Sequence, residues 1–193
     1  RSPCLHNERA KKTMREHFDI IVIGGGHAGC EAALVAARMG IRTAMVTLRR
    51  DRIGYMPCNP AVGGLAKGHL VKEIDALGGE MGKLADRSGI QFKTLNKSKG
   101  PAVRATRVQC DRVLYRQAAQ HRVSLLPNLT ILADHAEELV ISGDAIRGVR
   151  LAKTGKLACR FVIICSGTFL GGLTHCGADQ RPAGRFGEEP SLG

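Results

Sequence analysis

The chain has no tryptophan, and aromatic residues make up only 4% of its 193 positions. Stacking platforms for single-stranded bases are therefore scarce, so a nucleic-acid contact made here runs through phosphates rather than through base stacking. No apolar run approaches the roughly 20 residues that a helix needs to cross a bilayer, so no membrane partner is expected. The seven cysteines, Cys4, Cys30, Cys58, Cys110, Cys159, Cys165 and Cys176, contain no C-x-x-C pair and no metal-ligand spacing, which leaves no candidate metal site. Their odd number and their place inside apolar runs fit a reduced, cytoplasmic setting in which thiols act as small buried hydrophobes. Acid is short as well. Seventeen Asp plus Glu stand against 29 Lys plus Arg, and the formal charge of +12 favours either a polyanionic partner or simple solubility.

What is present is an α/β pattern. A hydrophobic content of 44% with 24% charged residues supports a sizeable core and excludes disorder and coiled coil. In "DIIVIGGGHAGCEAALVAARMG", the spacing Gly24-x-Gly26-x-x-Gly29 lies between an apolar strand at Ile20–Ile23 and a periodic helix at Ala28–Met39. That context reads as a dinucleotide fingerprint. Gly24 permits the tight turn, Gly26 lets backbone approach a pyrophosphate, and Gly29 with Ala33 lets helix and strand pack closely. Free N–H groups of the helix N-terminus then face the phosphates. Gly40 ends the helix and Ile41–Thr47 is the second strand. The place about 20 residues on, where an acid usually meets the ribose, holds Thr47, Leu48, Arg49 and Arg50, and Asp51 comes slightly late. NADP and FAD are both left open.

Residues 1–13 are polar and basic and read as a disordered leader ahead of a start at Met14, with residues 14–193 read as the N-terminal part of an FAD/NAD(P)-binding domain. Past the second strand, "CNPAVGG" is a turn-rich loop before a helical stretch at Leu65–Leu77, and a long loop of this kind is usually functional. Cys58 sits in it between two prolines. A thiolate there, near a helix N-terminus and Lys67, suits a nucleophile, and an inert loop cysteine is the competing reading. The stretch Lys93–Arg122 is strongly basic. Pro101 predicts a helix start, Cys110, Leu114 and Ala118 fall on one apolar stripe, and Arg112 and Arg116 line another face. Arg104, Arg107, Arg112 and Arg116 are candidate nucleic-acid contacts, set against a plain solvated face. Leu129–Ala133 predicts a strand. Turns at Gly143-Asp144 and Thr154-Gly155 then predict a small antiparallel β-meander, and Phe161–Cys165 a buried strand ending at Ser166-Gly167-Thr168. This order is that of a Rossmann-like FAD-binding domain of glutathione-reductase type.

"GGGHAGCEAA", the long block "CNPAVGGLAKGHLVKEIDALGGEMGKLADRSGIQFKTLNKSKGPAVRATR", "DRVLYRQA", "GTFLGG" and "PAGRFGEEPS" together resemble the tRNA uridine 5-carboxymethylaminomethyl modification flavoenzymes, the MnmG or GidA family, in their N-terminal part. The resemblance runs from about Phe18 to Gly193 and implies a truncated FAD domain. It implies that the pyrophosphate is that of FAD, held by Gly24, Gly25, Gly26, His27, Ala28 and Gly29. Ala136 would meet the adenine side through its backbone, with Gly167, Thr168 and Ser191 as further FAD contacts. Cys58 matches a family cysteine implicated in catalysis. The family acts on the wobble uridine of tRNA together with the GTPase MnmE, uses NADH and methylenetetrahydrofolate, and works as a homodimer. Its members are longer, so this chain reads as a fragment. The alternatives are an NADPH-dependent flavin oxidoreductase, a folate- and FAD-dependent tRNA methyltransferase, and a catalytically inactive FAD- or RNA-binding module.

Overall fold

The computed structural model describes residues 17–191, so the leader at 1–13 and the start at Met14 lie outside the described residues. The chain is an α/β domain built on a six-stranded sheet in the order β6-β2-β1-β9-β8-β7. β1 (His17–Ile23) is apolar at successive positions because both of its faces are covered, and Ile21 and Val22 are each fully buried. It runs parallel to β2 (Thr43–Thr47) on one side and to β9 (Gly155–Ile164) on the other, and β2 runs parallel to β6 (Leu129–Ala133). β7 (Ala136–Ser142) and β8 (Ala145–Leu151) join β9 as the expected antiparallel meander. Gly143, with φ +60°, makes the tight turn between β7 and β8.

α1 (His27–Arg38) packs its small face on the sheet: Cys30, Ala33, Leu34 and Ala37 meet Val22 of β1 and Met45 of β2. Phe18, Ile21, Ala44 and Val46 form the opposite face with Val149, Leu151 and Leu157 of the meander. β9 departs from expectation at its end. Phe161 and Ile164 are 57% and 53% exposed rather than buried, because among the described residues no element covers them.

Most of the chain between β2 and β6 forms an inserted lobe. Its antiparallel sheet has the order β3-β5-β4, from β3 (Ala61–Gly63), β4 (Gly89–Leu95) and β5 (Ala105–Cys110). α2 (Lys67–Ala76), α3 (Met81–Ser88) and α4 (Arg112–Ser124) complete it around Val62, Leu84, Val108, Cys110 and Tyr115. The helix expected from Pro101 is not there. Pro101 opens a short 3-10 turn, Cys110 lies on β5, and α4 begins only after Asp111. The Asp111 carboxylate accepts from the N–H groups of Val113 and Leu114, a side-chain cap that sets the helix start and turns Tyr115, Ala119 and Val123 inward instead of Leu114.

α4 belongs to both cores, since Val123 packs with the large sheet and Tyr115 and Ala119 with the lobe. Glu80 locks the junction. Its side chain is 3% exposed and pairs with Arg38 of α1 and Arg122 of α4, while the Glu31 carboxylate of α1 accepts from the N–H groups of Glu80 and Met81. Burial works against the Glu80 charge, yet Arg122, Lys83 and Arg38 hold its carboxyl below the usual carboxylate range.

Candidate functional site

The three fingerprint glycines do different things. Gly24 has φ +117°, and a Cβ there would lie 2.2 Å from the carbonyl oxygen of Cys165. A Cβ on Gly29 would lie 1.9 Å from the carbonyl oxygen of Gly24, so α1 can approach the turn only without a side chain. Gly26 is different: among the described residues its Cβ would meet no atom within 4 Å. It stands at the N-cap of α1 with no side-chain cap, and the first-turn N–H groups behind it have no intrahelical acceptor.

A cleft of about 470 Å³ opens in front of this turn, at the carboxyl ends of β1, β2 and β9. Of the positions that the resemblance assigns to FAD, Gly24, Gly25, Gly26, Ala136, Gly167 and Ser191 line it. His27, Ala28, Gly29 and Thr168 are placed around it instead. Gly29 packs on Gly24, and the Thr168 hydroxyl donates to the Gly184 carbonyl at 2.8 Å. His27 starts α1 edge-on to Tyr115, with ring centroids 5.5 Å apart. Burial, reinforced by Lys67 and Arg185, pulls the His27 pKa down to about 4, so its imidazole is neutral at pH 7.

Both ends of the cleft are fixed by polar contacts. Asp134, buried beside Ala136, accepts hydrogen bonds from the Thr154 hydroxyl at 2.7 Å and from the backbone N–H groups of His135, Lys153 and Thr154. Burial disfavours its charge, but these donors outweigh burial and hold its pKa down to about 2. Next to it, His135 Nε2 lies 2.7 Å from Ser191 Oγ, which ties the last lining residue to the β6–β7 loop. After β2 the late acid Asp51 is taken up by Arg49 at 2.7 Å, and Arg49, not Asp51, lines the cleft. Arg52 lies 4.5 Å over the Tyr55 ring and its Nη2 is 3.7 Å from Glu188, while its Nε is buried without a hydrogen-bond partner among the described residues. Arg185 lies 4.9 Å over Phe169. Two stacked guanidinium groups and a helix N-terminus around one cleft suit an anionic ligand. Sequence reading missed Asp134, Arg52 and Arg185. For Asp134 the only trace was its position two residues before Ala136, since its donors come from a turn about 20 positions away.

Cys58 is exposed and lies outside this cleft, on the inserted lobe. Its loop is pinned at three points: Arg112 Nη2 donates to the Cys58 carbonyl at 2.7 Å, Gln109 Nε2 donates to Asn59 Oδ1 at 3.2 Å, and Lys67 Nζ donates to the Ala61 carbonyl at 3.0 Å. The four candidate arginines are divided. Arg104 precedes β5 and donates to the Lys99 carbonyl, Arg107 lines a shallow cleft on β5, Arg112 holds the Cys58 loop, and Arg116 is half-buried on α4.

The family model for glucose inhibited division protein A matches residues 19–193. The tRNA uridine 5-carboxymethylaminomethyl modification enzyme MnmG of Protochlamydia amoebophila is 52% identical over 176 residues, which is 91% of this chain and 28% of that protein. The structure of Aquifex aeolicus GidA superimposes with a TM-score of 0.86 at 48% identity, over 91% of this chain and 29% of that one. The GidA-related protein from Thermus thermophilus, at 18% identity and a TM-score of 0.58 over 91% of this chain and 65% of its own, shares the fold alone. The chain thus spans less than a third of the length of the family relatives that it matches at high identity.

Proposed function

We propose, because this chain belongs to the glucose-inhibited division protein A family, that it provides the FAD cradle and a nucleophile to an enzyme that modifies C5 of the wobble uridine of tRNA. The observation that carries the reading is the open space at Gly26, in a chain 52% identical over 176 residues to a named tRNA uridine modification enzyme. The residues present fit FAD. The α1 N-terminus with Gly24, Gly25, Gly26 and Gly167 would hold the pyrophosphate, Ala136 would meet the adenine side through its backbone, and Ser191 would offer a hydroxyl. His27, Ala28 and Thr168 support that cradle from behind. The partnerless Arg52 Nε is a buried donor that a ligand oxygen satisfies. When bound, FAD supplies two-electron redox chemistry, with NADH as reductant and methylenetetrahydrofolate as one-carbon source.

Within this reading Cys58 is the catalytic residue of the chain. Its exposed loop leaves the sulfur open to an extruded base, and addition of the thiolate to the pyrimidine ring makes C5 nucleophilic. Loss of the C5 proton with expulsion of the thiolate after substitution at C5 restores the ring. Arg112 positions the loop through the Cys58 carbonyl, and Arg104, Arg107 and Arg116 offer charge to the tRNA backbone. The GTPase MnmE and a second copy of the enzyme complete the assembly, in the cytoplasm. The test is Cys58→Ser in the full-length protein, with the exposed Cys176→Ser as control. Cys58→Ser is expected to keep its flavin absorbance and lose modified uridine, while Cys176→Ser keeps both. Modification near the wild-type yield in Cys58→Ser would reduce that residue to a loop element.

A further inference from the structure

We infer that the shallow cleft between Lys93 and Arg107, on the outer face of the three-stranded sheet, seats a backbone phosphate of the nucleic acid whose base is offered to Cys58; the inference rests on the tRNA reading above. Lys93 on β4 stands directly opposite Arg107 on β5 in the strand register. Like charges in that relation repel and weaken the pair of strands. Among the described residues neither cation has a carboxylate within ion-pairing distance. The molecule contains its own contrast. Arg150 on β8 stands opposite Lys156 on β9 in the same relation, and there Glu137 and Glu138 pair with Arg150 at 2.6 and 2.8 Å. The sheet that carries the meander neutralises its like-charged pair, and the lobe leaves its own bare.

The next registered pair in the cleft, Gln91 opposite Gln109, adds neutral amide groups, so the wall combines two cations with hydrogen-bonding side chains. That composition suits one oxyanion with several acceptor oxygens. The cleft is also coupled to the nucleophile. Gln109, two residues along β5 from Arg107, donates to Asn59 beside Cys58, and two residues along a strand span about 7 Å. Lys93 and Arg107 therefore stand two residues along their strands from the contact that holds the Cys58 loop.

The test measures binding of tRNA to the full-length protein across a salt series, for wild type, Lys93→Ala, Arg107→Ala, the double variant, Lys93→Arg and the control Lys156→Ala. Each single alanine variant is expected to weaken binding several-fold and to reduce the log–log salt slope by about one, and the double variant by about two. Lys93→Arg and Lys156→Ala keep the wild-type slope. An unchanged slope in Lys93→Ala and Arg107→Ala, with tRNA still bound, overturns the phosphate seat and leaves the tRNA reading standing. Weaker binding at an unchanged slope also overturns it, because the loss is then not ionic. A wild-type protein that does not bind tRNA overturns the tRNA reading and the seat together.

Discussion

At the glycine turn, backbone crowds backbone until no side chain fits at Gly24 or Gly29, whereas on the outer face of the inserted lobe charge crowds charge, with Lys93 facing Arg107 across two strands. The turn is shaped by the side chains it leaves out, and the lobe face by the counter-charges it leaves out. The turn can therefore fail by gaining a single methyl group, while the lobe tolerates exposed substitutions and fails when its attachment to the large sheet loosens.

The largest expected effect tests the first half of that contrast. Gly29→Ala places a Cβ 1.9 Å from the Gly24 carbonyl oxygen, a backbone atom that cannot swing away, and should cost at least about 3 kcal/mol of stability. Gly26→Val, with no atom within 4 Å of its Cβ, should melt close to wild type yet lose flavin absorbance. Thermal melts and flavin content measured on both variants decide it: equal destabilisation would erase the distinction between packing and ligand space.

Glu80→Gln comes next and acts on the lobe's attachment. It removes the charge that Arg38 and Arg122 share at a side chain only 3% exposed. Breaking a fully buried pair costs about 3–5 kcal/mol, and because the two arginines are themselves part-exposed, about 2 kcal/mol is expected here, read as a lower urea midpoint. A shift below about 0.5 kcal/mol would mean that the Glu31 contacts and the apolar face of α4 hold the lobe in place without the Glu80 charge.

The smallest expected change is one of profile shape, and it falls in acid. Asp134, held at a pKa of about 2 against about 3.9 in an unfolded chain, contributes stability that is complete above about pH 4 and is lost as pH falls toward 2. His27, lowered to about 4 from 6.5, contributes stability that is complete above about pH 6.5 and is lost as pH falls toward 4. Asp134→Asn should flatten the stability profile below pH 4 and leave the step between 6.5 and 4 unchanged. A profile altered equally in both windows would sever Asp134 from the acid loss.

The glycine turn was legible in the sequence because its requirement is local: Gly24, Gly26 and Gly29 lie within one turn of chain, and strand and helix flank them. The meander was legible for the same reason, since Gly143 and Gly155 both take positive φ between alternating runs. The helix drawn from Pro101 failed because periodicity across Cys110, Leu114 and Ala118 ran over a stronger local signal, the Asp111 cap. Phe161 and Ile164 are apolar but exposed, because burial depends on a neighbour and not on the residue itself. The Lys93–Arg107 pair was illegible because strand register makes it, and the meeting of Arg52 and Arg185 at one cleft was illegible because they lie far apart in the chain.

The insertion of a whole lobe between two strands that pair directly also bears on the chain entropy that their pairing must overcome. β2 and β6 are neighbours in the sheet, yet the contact that seals their entry, Asn128 Nδ2 to the Ile41 carbonyl at 2.9 Å, joins residues 87 positions apart. Closing so long a loop from an open chain is slow, and its entropy cost falls when the intervening segment is already compact. The lobe, ending in α4, is the element that shortens the search: once Tyr115 and Ala119 are packed, Val123 and Leu129 follow within the next few turns of chain. A compact insertion therefore lowers the entropy cost of docking β6, the edge strand of the large sheet, on β2.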